Sequence, residues 1–250
     1  YDNLVNYLGK ESARINRLEE KNRQRIDLLV TTSRKLHDKY AAYYNHTYLL
    51  GNGLSRHIYE QLAFAGYDGL REITALPSPR IGFAGVISER LDWKLITALA
   101  SQEPKWSLIF VGRVLNRRRV RELQKYRNIW FMGEYDHSAM PAVWKSFDIG
   151  MMPYLDNAFF RFSNPLKFYE MGAAGLPSVS SNMEELNQFP PELVSVQPND
   201  PNRWRDSIRN MLTLDRKKVL AIGRSVARQY IWEDMAANLM QTISNLGAKH

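Results

Sequence analysis

A lysine and a glutamate lie three residues apart in the segment SNPLKFYEMGAAGLPSVSS (163–181), and they are the residues best placed for chemistry in this sequence. The spacing predicts that both lie on one face of a short helix. Pro165 suits the first helical position, and Asn164 suits the capping position before it. Gly175 and Pro177 predict the end of the helix, which is therefore about ten residues long.

The start of this helix has the chemistry of a phosphate site. Free amides at a helix start carry roughly half a positive charge. Lys167 adds a full charge and Ser163 adds a hydroxyl group. Glu170 lies about 4.5 Å further along the axis, where its carboxylate can accept hydrogen bonds from two neighbouring hydroxyls such as those of a ribose. An ordinary surface ion pair, worth about 0.2–0.5 kcal/mol, fits the same spacing, so the residues alone leave both interpretations open.

The segments around this motif alternate between strand and helix patterns. Strands are predicted at 26–33, 46–53, 80–86, 106–112, 128–133, 148–154, 178–181 and 193–198. Helices are predicted at 11–25, 34–44, 93–104, 116–126, 139–147, 165–174, 202–212 and 215–245, and residues 54–78 are predicted to be irregular. Such alternation is typical of a parallel sheet flanked by helices. Ligands bind beyond the carboxyl ends of the strands in sheets of this class.

Composition indicates an ordinary globular chain. Its 250 residues are 44% hydrophobic and 24% charged, and the absence of cysteine excludes disulfides and thiolate metal sites. No apolar run approaches the roughly 20 residues that span a bilayer. The five histidines form no metal-ligand pattern, and each is interpreted as structural. The chain opens with Tyr1 rather than Met, which we interpret as a piece of a longer protein.

Positive charge is concentrated in two stretches. The net charge is +8, and the basic residues cluster at 113–127 and 203–228. Such clusters attract phosphates, anionic lipids or nucleic acid, although they also serve as ordinary solvated surface. The aromatic residues are spread through the predicted strands and helices rather than between the arginines, which disfavours a nucleic-acid surface.

The order of the motifs resembles a known family. FFRFSNPLKFYEMGAAGLPSVSS resembles the donor-binding segment of glycosyltransferase family 4, the group 1 glycosyl transferases of GT-B fold. PRIGFAGVISERLDWKLI, WSLIFVGR and NIWFMGEYDHSAMPAVWKSFDIGMMPY resemble the preceding units of that family in the same order. IDLLVTTSRKLHDKYAAYYNHTYLLGNG resembles the end of its N-terminal domain.

The resemblance implies a fold with two Rossmann-like domains that face a cleft. Residues 1–78 would be the remnant of the N-terminal, acceptor-side domain with the linker. Residues 79–250 would be the C-terminal domain that binds a nucleotide-sugar donor, with the last helices packing back on the N-terminal part. Because the first domain is incomplete, we expect this chain to be a fragment that binds donor and is inactive alone.

The resemblance also implies an activity: transfer of a sugar from a nucleoside-diphosphate sugar to a glycan or lipid-linked acceptor, without a metal or other cofactor. Lys167 and Glu170 would be the catalytic residues. Glu170 would bind the ribose hydroxyls, and the diphosphate and the base would lie near the other residues. The substrate-binding residues implied in this way are Gly85, Arg113, Met132, Gly133, Ser163, Asn164, Lys167 and Glu170.

One departure from the family concerns the sugar. The family pattern has a second glutamate eight positions before the one at 170, and this sequence has Phe162 there. The donor sugar, its base, the acceptor and the stereochemistry therefore stay open, as does the oligomeric state.

The sequence leaves two alternatives open. A sugar-nucleotide epimerase of the same fold would change the donor sugar without an acceptor. A non-catalytic basic module would bind polyanions with steep salt dependence. For the transferase, the basic helices suggest peripheral contact with anionic lipid, and we expect a cytoplasmic location at the inner face of the membrane.

Overall fold

A six-stranded parallel sheet is the centre of the computed structural model, which describes residues 12–64 and 68–247. The strands, in chain order, are β1 Leu29–Thr31, β2 Thr47–Leu49, β3 Arg80–Ala84, β4 Ser107–Val111, β5 Ile129–Phe131, β6 Ile149–Met152, β7 Ser178–Ser180 and β8 Val194–Val196. The strand order across the large sheet is β5-β4-β3-β6-β7-β8. The chain therefore builds outward from β3 to one edge and then from β6 to the other.

Helices connect these strands and cover both faces of the large sheet. In the described residues they are α1 Ser12–Asn22, α2 Arg34–Ala41, α3 Arg56–Phe64, α4 Arg71–Thr74, α5 Trp93–Gln102, α6 Arg117–Leu123, α7 Met140–Lys145, α8 Ala158–Arg161, α9 Leu166–Ala173, α10 Pro201–Leu212, α11 Arg216–Arg228 and α12 Trp232–Gly247. Short 3₁₀ turns occur at Arg23–Arg25, His137–Ala139 and Glu184–Gln188. Parallel strands need such crossovers, because a tight turn cannot return the chain to the starting edge.

The two faces of the sheet have separate hydrophobic cores. Strand β4 is buried along its whole length, as expected for a central parallel strand. Leu108 and Phe110 belong to the core beneath α5 and α10, whereas Ile109 and Val111 belong to the core beneath α7, α9 and α11. Alternate side chains of one strand thus anchor helices on opposite faces, which fixes the position of the strand ends between them.

Helices α9 and α11 cross at very short distance on one face. Gly172 of α9 contacts Gly223 of α11, and a Cβ atom at position 223 would lie 2.1 Å from the carbonyl oxygen of Gly172. Only glycine at position 223 lets the two backbones approach so closely. The contact fixes α9 against the sheet behind its cleft-facing side.

A small two-stranded sheet lies beside the large one. Strands β1 and β2 pair in parallel, and α2 packs on them through Leu36 and Tyr40. A glutamate from the large unit joins the two, because Oε2 of Glu185 accepts a hydrogen bond from the backbone amide of Arg34 at 2.9 Å. Lys35 forms an ion pair with Glu184 in the same place. The amino end of α2 is therefore held by the loop that follows β7.

The prediction that residues 54–78 are irregular is wrong. This stretch contains α3 and α4, and their side chains Tyr59, Leu62 and Ile73 are buried in the same core as α9 and α11. Packing against the large unit stabilises these short helices, which the local sequence pattern does not show. The domain boundary after residue 78 is tested by none of these contacts and stays a prediction.

The prediction of one helix over residues 215–245 is also wrong. The chain leaves the helical path between α11 and α12, where the amide of Leu54 donates to the carbonyl of Tyr230 and the amide of Trp232 donates to the carbonyl of Leu54, both at 2.8 Å. This short parallel pairing replaces helical hydrogen bonds, so the end of the chain does contact the N-terminal part. In residues 12–64 and 68–247, no helix combines the length and the apolar character needed to cross a membrane.

Candidate functional site

A cleft of about 460 Å³ opens at the carboxyl end of the large sheet. It lies where β3 and β6 are neighbours and the chain changes direction across the sheet, which is the position where sheets of this type bind ligands. The loops after β3, β4 and β5 form its walls together with α7 and α9. Its polar lining consists of Arg113, Glu134, Tyr135, His137, Lys167 and Glu170.

Lys167 lies in the first turn of α9, and its ammonium group is fixed by two aromatic residues. Its Nζ atom lies 2.5 Å from the hydroxyl of Tyr154 and 4.3 Å from the ring centre of Phe83. No carboxylate of the described residues lies within 4.0 Å of this nitrogen. The charge is thus oriented at the cleft without being neutralised by an ion pair.

Backbone comes close to the same ammonium group at the end of β3. Gly85 has a φ angle of +149° and lines the cleft, and a Cβ atom there would lie 2.9 Å from Nζ of Lys167. Glycine therefore keeps room for the lysine and lets main-chain atoms form part of the cleft wall.

Glu170 lies one turn further along α9, and its side chain is 8% exposed. Burial raises the pKa of this carboxyl, while the charges of His137 and Lys167 and the indole of Trp144 oppose the rise. A buried carboxylate that still lines an open cleft can accept hydrogen bonds from hydroxyl groups of a bound molecule. The predicted placement of the lysine and glutamate on one cleft-facing side of a helix agrees with this geometry.

The start of α9 differs from the predicted cap. Pro165 occupies the capping position in an extended conformation, no side chain caps the helix, and Asn164 is not the cap that its residue type suggested. The backbone amides of Leu166 and Lys167 donate to no acceptor among the described residues, and both residues line the cleft. An uncapped helix start next to an ammonium group is a favourable position for an anion.

Asn164 and Ser163 do not line the cleft. Asn164 is buried against the turn after β2, where its carbonyl accepts a hydrogen bond from Asn52. The hydroxyl of Ser163 donates to the carbonyl of Phe159 at 2.7 Å, four residues earlier. The hydroxyl of Ser163 and the main-chain carbonyl of Asn164 are thus used within the fold, whereas Oδ1 of Asn164 is buried without a hydrogen-bond partner among the described residues.

After β5, the residues that line the cleft come two positions later in the chain than the predicted pair. Met132 packs against the core, and the carbonyl of Gly133 accepts from the amide of Gly112 at 2.7 Å. Glu134 and Tyr135 line the cleft instead, and Arg113 lines it as predicted from its place after β4. The hydroxyl of Tyr135 donates to Glu72 of α4 at 2.9 Å, which fixes this wall.

Four polar or aromatic residues of the cleft are not among the residues predicted from the sequence: Glu134, Tyr135, His137 and Trp144. The sequence favours a structural role for His137, yet this residue lines the cleft, and in its protonated form it opposes the rise in the pKa of Glu170. The available signal was their position just after a predicted strand and on the next helix, which are features common to every unit of such a sheet.

Comparisons with known proteins agree with this architecture. The family described as Glycosyl transferases group 1 matches residues 78–214, which include the whole lining of the cleft. A Bacillus subtilis protein named as a glycosyltransferase of teichuronic acid biosynthesis, TuaH, is 33% identical over 111 residues, covering 44% of this chain and 28% of that protein.

Solved structures share the fold at low sequence identity. Sucrose-phosphate synthase from Thermosynechococcus elongatus has a TM-score of 0.69 and 19% identity, over 90% of this chain and 59% of its own. HepE from Anabaena, in complex with UDP and glucose, has a TM-score of 0.65 and 16% identity, over 89% of this chain and 64% of its own. This chain therefore spans less than two thirds of these relatives. The predicted fold class and family are confirmed: the chain belongs to the group 1 glycosyl transferases.

Proposed function

We propose that this protein transfers a sugar from a nucleoside-diphosphate sugar to a glycan or lipid-linked acceptor. The observation that carries the proposal is the convergence of the Lys167 ammonium, the Glu170 carboxylate and the Gly85 backbone on one cleft of about 460 Å³. This volume is within the usual range of small-molecule sites. Relatives give further support, since HepE was solved with UDP and glucose and TuaH is named for teichuronic acid biosynthesis.

Lys167, Arg113, Glu170 and the start of α9 each have a role in this proposal. The leaving diphosphate gains negative charge as the bond to the sugar breaks, and Lys167 with Arg113 and the uncapped start of α9 would stabilise that charge. Glu170 would accept hydrogen bonds from the ribose hydroxyls. In this arrangement the cations of the chain take the part that a metal ion plays in other transferases, so no cofactor is required.

Four of the predicted residues do not line the cleft, and the proposal gives them supporting roles. Ser163 and Asn164 would support the helix start through their internal hydrogen bonds rather than contact the diphosphate. Met132 and Gly133 would shape the loop that carries Glu134 and Tyr135 towards the base.

Binding and turnover test the proposal separately. A calorimetric panel of UDP, GDP, ADP and dTDP measures whether the cleft accepts a nucleoside diphosphate. A diphosphate at 100 times its dissociation constant should stabilise the protein by about 2.7 kcal/mol. Incubation of the full-length protein with the matching donor, with and without polysaccharide or lipid acceptors, then measures transfer. Absence of any nucleoside-diphosphate binding contradicts the proposal, and conversion of the donor without an acceptor identifies an epimerase.

We further propose that the protein works in the cytoplasm at a membrane face. The support is the basic helix α6, which carries Arg117, Arg118, Arg119 and Arg121 at the surface. Clusters of this kind attract anionic lipid, and salt weakens the attraction. Sedimentation with phosphatidylglycerol vesicles, compared with phosphatidylcholine vesicles at the same salt concentration, tests this contact. Equal recovery in both pellets contradicts it.

A further inference from the structure

The hydroxyl of Tyr154 is the hydrogen-bond partner of the Lys167 ammonium, at 2.5 Å, and it comes from a different element of the fold. Tyr154 follows β6, whereas Lys167 lies in α9, thirteen residues later. The lysine nitrogen also lies 5.0 Å from the centre of the Tyr154 ring, and Phe83 covers it from β3. An ammonium on a flexible four-carbon chain is therefore held at one point where β3 and β6 meet.

Because the partner of Lys167 is a hydroxyl group, the lysine keeps its positive charge available. A carboxylate in the same place would fix the ammonium but would cancel its charge, whereas a hydroxyl fixes the ammonium and leaves the positive charge available to an incoming anion. The aromatic faces add attraction of the cation–π type without a counter-charge. Holding the side chain in advance also reduces the entropy that binding must remove from a long lysine side chain.

Tyr154 is itself rigidly positioned. Its ring stacks on Phe160 with 4.3 Å between centres and 17° between planes. Its carbonyl accepts hydrogen bonds from the hydroxyl of Ser181 at 2.6 Å and from the side-chain amide of Asn199 at 2.8 Å. These contacts fix Tyr154 relative to the sheet, and its hydroxyl in turn fixes the position of the Lys167 ammonium.

We propose that Tyr154 is a positioning residue that holds the Lys167 ammonium, uncompensated, at the place of the diphosphate. The inference rests on the proposed function, since it concerns the same cleft. It adds a residue to which neither the family match nor the sequence pattern gives a role. Tyr154 acts through Lys167 and contacts no substrate in this arrangement.

The test compares UDP with uridine in four forms of the full chain: parent, Tyr154→Phe, Lys167→Met and the double variant. Tyr154→Phe keeps the ring stack and removes only the hydroxyl. We expect it to weaken UDP binding about tenfold by calorimetry, as for loss of a hydrogen bond to a charged group. Uridine binding, measured by competition in ligand-observed NMR, should stay at the parental value. In the Lys167→Met background the second change should have no further effect on UDP, because the lysine is the group it positions.

A matched control removes another hydroxyl outside the cleft. Tyr59→Phe loses the hydrogen bond to the carbonyl of Arg224 at 3.3 Å and should bind UDP as the parent does. Equal loss of UDP and uridine affinity in Tyr154→Phe, or additive losses in the double variant, would overturn the inference in favour of a general structural role. A parent that binds UDP while Tyr154→Phe binds it equally well would also overturn it. A parent that binds no nucleoside diphosphate refutes the proposed function itself, which keeps the two failures distinct.

Discussion

Replacement of Glu170 by glutamine separates the binding role of this carboxylate from its cost to the fold. Glutamine keeps the size of the side chain and removes the negative charge. If the carboxylate binds ribose hydroxyls, the variant loses a hydrogen bond to a charged acceptor, which costs about 1.5–3 kcal/mol. That loss corresponds to a dissociation constant for UDP that is roughly 10- to 150-fold higher. Calorimetry at pH 7.5 measures it directly.

The same variant should gain stability at high pH, although its affinity for UDP falls. The pKa of Glu170 in the folded protein is raised above its ordinary value of 4.5 by burial, so the folded state binds the proton more tightly than the unfolded state does. The free energy of unfolding of the parent therefore falls as the pH rises from 4.5 through the raised pKa. Glu170→Gln escapes this loss, so the variant should be more stable than the parent at pH 8 and gain nothing below pH 4.5. Urea unfolding at both pH values measures the difference.

A second buried glutamate supplies the matched control. Glu185 is also 8% exposed, and burial also raises its pKa, although hydrogen bonds from Arg34 and Gln188 oppose the rise. It does not line the cleft, so Glu185→Gln should leave UDP affinity at the parental value. If Glu170→Gln binds UDP as tightly as the parent, or if both glutamine variants weaken UDP equally, the ribose role of Glu170 is refuted.

Four further outcomes are expected. Lys167→Ala should lower the turnover number of the full-length enzyme at least tenfold while its melting temperature stays close to the parental value. Equal turnover of variant and parent would contradict the role of the lysine. Turnover of the parent in excess EDTA should equal its turnover without EDTA. Gly223→Ala should lower the free energy of unfolding by about 1–3 kcal/mol, because the added methyl meets Gly172, and an unchanged urea midpoint would contradict the tight crossing. Burial alone would raise the pKa of Asp148, but hydrogen bonds from Arg80 and Ser78 hold it below 3.8 in the folded protein, so Asp148→Asn should destabilise the protein at pH 7 and the gap to the parent should narrow as the pH falls below 3.8.

The pattern of the sequence predicts most of the large sheet for a clear physical reason. Each parallel strand is a short apolar run bounded by turn residues, because both faces of the strand are buried, and β4 with its sequence SLIFV illustrates this. The helix that carries Lys167 and Glu170 follows from the spacing of those two residues and from the break at Gly175 and Pro177.

The errors have one origin, which is contact between distant parts of the chain. Asn164 has the residue type of a helix cap, but its side chain is buried against Gly51 in the turn after β2, and Pro165 takes the capping position of α9. The pairing of Leu54 with Ile231 ends α11 at a place where the local sequence continues to favour helix. Tyr135 and His137 reach the cleft only because the sheet brings the end of β5 beside α9. The local sequence pattern gives no information about contacts between residues that are far apart in the chain.

Helices α3 and α4 limit the positions at which the chain can be cut into separate folding units. Tyr59, Leu62 and Ile73 belong to the core that supports the cleft, although the motif boundary in the sequence lies after them. An expression fragment that starts at Pro79 would expose the apolar backs of α7 and α9 to water and would be prone to aggregation. Domain exchange between relatives would therefore succeed when the junction lies ahead of Leu54, so that α3 and α4 stay with the unit that forms the cleft.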